Sequence, residues 1–145
     1  MPNLFPELNL PTILTPRSQR EFKYRPSPNF DFEVGDFVLD SRGRMTLADG
    51  RESFAQWCIK TCLTERRTRL AYSEKIGVEM NSAVKEPTSA AVKSAVARTI
   101  TEAILVHPAA VAVKNFKFQI EADKLRVDFT VQARDLPDVN LSVVY

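Results

Sequence analysis

Proline placement constrains this chain more than any other feature, because six of its nine prolines lie at or before Pro28. Proline has no backbone N–H and a fixed φ. A segment interrupted at Pro2, Pro6, Pro11, Pro16, Pro26 and Pro28 therefore supplies neither a continuous helix nor a continuous ladder. Residues 1–29 are expected to form an extended arm, and residues 30–145 a single domain. The arm is not polar. Leu4, Phe5, Leu8, Leu10, Ile13, Leu14, Phe22 and Tyr24 recur through it and need an apolar surface, on this chain or on another.

Beyond the arm the periodicities are those of an α+β domain. Phe30, Phe32 and Val34 alternate, Phe37–Leu39 is apolar and Ser41–Gly43 has turn chemistry, which together predict a short hairpin. Asp49 with Glu52 three residues later has the form of a capping box. Phe54, Trp57, Cys58 and Cys62 then fall at helical spacing, so a helix with a buried tryptophan is expected from about Gly50 toward Glu65. Leu70–Ser73 reads as a strand or extended turn, and Gly77 suits a left-handed position.

Pro87-Thr88-Ser89 starts a second helix with Val92, Val96, Ile100, Ala103 and Ile104 along one stripe and Pro108 as its stop. His107 falls in its last turn, where a partial positive charge is favourable. Two alternating runs follow. Phe116, Phe118 and Ile120 share one face, Leu125, Val127, Phe129 and Val131 another, and the turn lies near Ala122–Lys124. The expected architecture is two helices packed on a small antiparallel sheet with a long C-terminal hairpin.

The chemistry available to such a domain is thin. The chain has one histidine and neither a glycine-rich phosphate loop nor a nucleophile elbow. Cys58 and Cys62, four apart, lie on one helix face but are poorly placed for a disulfide, and His107 with carboxylates makes no zinc set; no metal and no cofactor are expected. Glu65, Glu74 and Glu79 could supply a carboxylate pair for glycoside hydrolysis, which needs a defined separation across a cleft. Arg66, Arg67 and Arg69 could meet phosphates, but those glutamates dilute the cluster and the net charge is only +2. Nucleic acid is not an expected partner. Nor is a membrane, since no apolar run approaches the roughly 20 residues a spanning helix needs. With no leader-like N-terminus, assembly in a cytoplasm is expected.

Three stretches carry a resemblance. FDFEVGDFVLD, DGRESFAQWCIKTCLTERRTRLAYSEKIGVE and the Val111–Ala133 hairpin with its NFKF together resemble the sheath initiators, small baseplate-wedge proteins of contractile phage tails. The resemblance spans nearly the whole chain, including a proline-rich leader. It implies a virion protein of the tail baseplate with a structural role and no catalysis: bound to larger wedge proteins, and offering the first ring of sheath subunits a docking sheet. The label lysozyme-like, borne by some relatives, finds no catalytic signature here. A peptidoglycan-cleaving muramidase of the baseplate is the alternative.

Relatives carry Glu-Pro-Arg after the first helix, where it meets the helical core of the wedge. The matching place here reads Glu65-Arg66-Arg67, without the proline. Glu65, Arg66, Arg67, Arg69 and Tyr72 are accordingly the residues expected at the wedge core, arginine and tyrosine being favoured at interfaces. For the sheath, an edge strand completed by an arm of a sheath subunit is the expected device, since backbone pairing holds subunits that move during contraction. Asn140, Leu141, Ser142, Val143, Val144 and Tyr145 are its candidates. The same run could instead be a third strand of the protein's own sheet. The N-terminal arm is left to reach tail tube or hub proteins.

Overall fold

The computed structural model describes residues 22–145. Of the expected arm, residues 1–21 lie outside the described residues. The part within them runs along the domain: Phe22 and Tyr24 pack against the core, the Phe22 N–H donates to Asp135 Oδ2 at 3.0 Å, and the Tyr24 hydroxyl donates to the Arg134 carbonyl.

Where one hairpin is expected after the arm, the chain makes two tight turns and two small antiparallel pairs. Strand β1 (Ser27–Pro28) pairs with β4 (Leu47–Ala48), and inside that pair β2 (Phe30–Asp31) pairs with β3 (Asp36–Phe37). Aspartates explain the division. Asp31 accepts from the N–H groups of Glu33 and Val34, and Asp40 from those of Arg42 and Arg44, so each nucleates its own turn.

Helix α1 spans Gly50–Cys62. Its N-cap is Asp49, but the expected capping box does not form: Gly50 begins the helix at φ +49°, and the Asp49 side chain makes no capping bond. Phe54, Cys58, Thr61 and Cys62 form its buried stripe. Trp57, expected in the core, is half-buried at the flank of that stripe. A second helix, α2 (Met80–Ala83), was not expected. Its single turn is too short to carry a period, and it makes three helices among the described residues. Helix α3 (Ser89–Ile104) follows its sequence signals closely, with Thr88 Oγ1 accepting from the Ala91 N–H and Val96, Ile100, Ala103 and Ile104 fully buried.

The C-terminal sheet has the order β5-β6-β7: β5 (Ala110–Glu121), β6 (Lys124–Ala133) and β7 (Val139–Val144), all antiparallel. One face carries Val127, Phe129, Val131, Val139, Leu141 and Val143 against α1 and α3. The other carries Lys117, Arg126, Gln132, Asn140 and Ser142 to solvent. The terminal run is thus a third strand of the protein's own sheet. The Tyr145 hydroxyl closes it onto α1 by donating to the Cys62 carbonyl at 3.1 Å.

His107 lies three residues past α3 rather than in its last turn. It sits among Trp57, Phe54 and Phe22, with ring centroids 4.6, 5.0 and 5.9 Å away. Its Nδ1 accepts the Ala109 N–H at 3.1 Å, and burial lowers its pKa. The ring is therefore held neutral, not as the helix-terminal cation expected from sequence.

Candidate partner-binding surfaces

The segment after α1 is a hydrogen-bonded joint. Thr64–Arg66 lies beside Val78 as a parallel bridge, with the Arg66 N–H donating to the Val78 carbonyl at 2.8 Å and the Val78 N–H to the Thr64 carbonyl at 2.9 Å. Gly77 makes this approach possible. It is buried at φ +103°, and a Cβ there would stand 2.6 Å from the Thr64 carbonyl oxygen.

The two ends of the site motif have different fates. Glu65 turns inward, its carboxylate accepting the N–H of Met80 at 3.1 Å and of Asn81 at 3.4 Å, so that it caps α2 from a distant point in the chain. Arg66, whose side chain is 13 % exposed, donates through Nε to the Gly77 carbonyl at 3.1 Å and approaches Glu79 at 3.4 Å. Arg67 reaches the same Glu79 carboxylate at 3.7 Å, but 68 % of its side chain is exposed. Arg69 and Tyr72 also face solvent, and the Lys60 ammonium stands 5.4 Å from the Tyr72 ring centre. The joint thus presents a cationic, aromatic outer face on a braced inner one.

Sequence reasoning saw the charges but not their anchors: Gly77, Glu79, Met80 and Thr99, whose hydroxyl accepts the Glu79 N–H at 2.7 Å, lie well down the chain. Two of the three glutamates offered for sugar hydrolysis are used otherwise, and Glu74 is exposed to solvent. Glu65 is committed to two backbone donors and Glu79 to two guanidiniums, the arrangement of a brace rather than of an acid pair astride a cleft. Both cysteines are free and buried. Burial pushes the Cys62 thiol up to about 12 and the Cys58 thiol higher still.

At the other candidate surface, β7 is an outer strand of the sheet among the described residues. Leu125 and Tyr145 exchange both backbone bonds, at 3.0 and 2.9 Å. Alternation along an antiparallel ladder then points the N–H and C=O of Val139, Leu141 and Val143 at β6, and those of Asn140, Ser142 and Val144 away from it. Their side chains divide in the same way, the first three buried and the second three exposed.

The described residues thus form a small α+β domain that presents a braced, charged joint and an outer strand edge. The comparison with known families narrows this. Residues 27–135 match the contractile injection system sheath initiator family, and the chain belongs to that family. It is a structural component of a contractile tail, with a role at the baseplate. No curated protein sequence matches it. The matched residues include the joint and the β5-β6 hairpin, while β7 lies beyond them.

Proposed function

We propose that this chain is an inner wedge protein that links the baseplate wedge to the tail sheath and initiates sheath assembly through its strand edge. The observation that carries the reading is the outer edge of β7, where Asn140, Ser142 and Val144 present backbone donors and acceptors away from β6. An extended arm of a sheath subunit would complete this ladder, gaining affinity from main-chain bonds. The opposite margin, β5, is the second edge of the same sheet and carries an exposed Ile120.

On the wedge side, Arg67, Arg69 and Tyr72 are the contacting residues, held in place by Glu65 and Arg66. Their exposure and the interface preference for arginine and tyrosine support this division. Catalysis has no part in the role.

Co-expression of the tagged full chain with sheath protein alone, and separately with wedge proteins alone, tests both halves. Capture of the co-expressed partner is expected in each experiment. Capture of neither would remove the reading. Clearing of a peptidoglycan suspension by the purified chain would favour the muramidase instead.

A further inference from the structure

One feature is used by neither contact. A groove of about 1040 Å³ runs between the Phe22–Pro28 segment, the small strands and α1, and Phe30, Phe37, Phe54, Trp57 and His107 line it. Its rings form two apolar clusters: Phe30 lies 5.1 Å from Phe32 and 5.2 Å from Phe37, and His107 lies 4.6 Å from Trp57 and 5.0 Å from Phe54. Trp57 and Phe30 are only half-buried and Phe37 is 45 % exposed, so these aromatic surfaces have area still to cover. Aromatic-lined grooves are the surfaces on which proline-containing extended segments dock, because such segments are ordered at low entropic cost.

We propose that the groove seats residues 1–16 of this same chain, laid down in extended conformation. The described chain begins at Phe22, which is itself part of the groove wall, so the preceding residues start at the rim. Prolines at 2, 6, 11 and 16 exclude helix and ladder. Between them stand Leu4, Phe5, Leu8, Leu10, Ile13 and Leu14, a set of apolar side chains matched to an aromatic wall. At about 3.1 Å per residue the segment reaches about 50 Å, ample for the groove after a reversal through the polar, proline-free Arg17–Arg20. Charge agrees: Lys23, Arg25 and Lys60 line the groove, and the one charged side chain among residues 1–16 is Glu7. Tethering at the rim favours the chain's own segment over one from a second copy. The seat belongs to the unassembled protein and is independent of the strand-edge reading.

Trp57, the chain's sole tryptophan, makes the test direct. Acrylamide quenching of its fluorescence is measured on the full wild-type chain and on the full chain carrying Leu10→Asp and Ile13→Asp, which leave the folded body unaltered. A severalfold larger quenching constant in the variant is expected. Saturable recovery of protection when a synthetic peptide of residues 1–19 is added to that variant is the second expected result. Equal quenching in both chains with no effect of peptide would overturn the proposal. So would protection of the wild type that disappears on dilution together with a dimer, which would assign the groove to the arm of a second copy.

Discussion

Glu65 accepts the backbone N–H of Met80 at 3.1 Å, so a residue just past the first helix caps the start of the second across fourteen intervening residues. With the second bond from Asn81, this carboxylate replaces a local cap that α2 lacks, since Glu79 at the N-cap makes no side-chain bond there. Removing it as Glu65→Ala is expected to cost about 1–2 kcal/mol, the usual worth of a helix cap or a charged hydrogen bond. Arg67→Ala, at an exposed side chain, is expected to leave the denaturant midpoint within about 0.5 kcal/mol of wild type while weakening wedge capture. Urea unfolding of both variants beside a wedge pull-down separates the brace from the contact.

Gly77→Ala is expected to be the most damaging small substitution in the joint. The added methyl group would meet the Thr64 carbonyl at 2.6 Å, with backbone on both sides and a left-handed φ to satisfy. A loss of about 3 kcal/mol or more is expected from strain and clash together. Gly35→Ala, also at positive φ but in open space, should cost about 1 kcal/mol. Denaturant midpoints of the two variants check the ranking.

Much of this fold was legible because its longer elements repeat their period several times. Helix α3 carries a buried stripe from Ala95 to Ile104 and a Thr88 cap, and β6 alternates along all ten of its residues. The elements that escaped have no period to read. Helix α2 is one turn long, and the two small pairs within residues 27–48 are built from two-residue strands. Asp49 has the cap signature, yet Gly50 begins the helix left-handed and the side chain is unused.

The site was half legible for a related reason. The arginines announced themselves by composition, but whether each faces in or out depends on Gly77, Glu79 and Met80, and no local pattern connects those to Glu65. His107 shows the same limit: sequence places it in the last turn of a helix that in fact ends at Ile104, and its neutral state comes from Phe22, Phe54 and Trp57, three residues on other segments.

That neutral state has a pH signature. Burial holds the folded-state pKa of His107 below its ordinary value near 6.5, so the unfolded chain binds the proton more readily. The contribution is fully present above about pH 6.5 and is lost as pH falls through the depressed folded value. Stability against urea is expected to decline over that window, and His107→Phe should flatten the decline. An unchanged slope in the variant would assign it to other groups.

Cys58 and Cys62 are expected to resist modification in the native protein. Thiolate is the reactive form, and burial beside Phe54 and Tyr145 raises both thiols far above neutral pH. A thiol-specific chromogenic reagent at pH 8 should read close to no thiol in the folded chain and two after denaturation. Rapid reaction of the native protein would show that α1 opens from the sheet.

Proline substitutions along β7 test the strand-edge mechanism most directly. The N–H of Ser142 points away from β6, so Ser142→Pro removes a donor from the outer edge and leaves the internal ladder paired. Val143→Pro breaks that ladder inside the core and serves as the destabilised control. Ser142→Pro is expected to unfold near the wild-type midpoint and to lose at least about tenfold in sheath capture, the equivalent of about 1.4 kcal/mol. Wild-type capture of sheath protein by a folded Ser142→Pro chain would contradict docking at this edge.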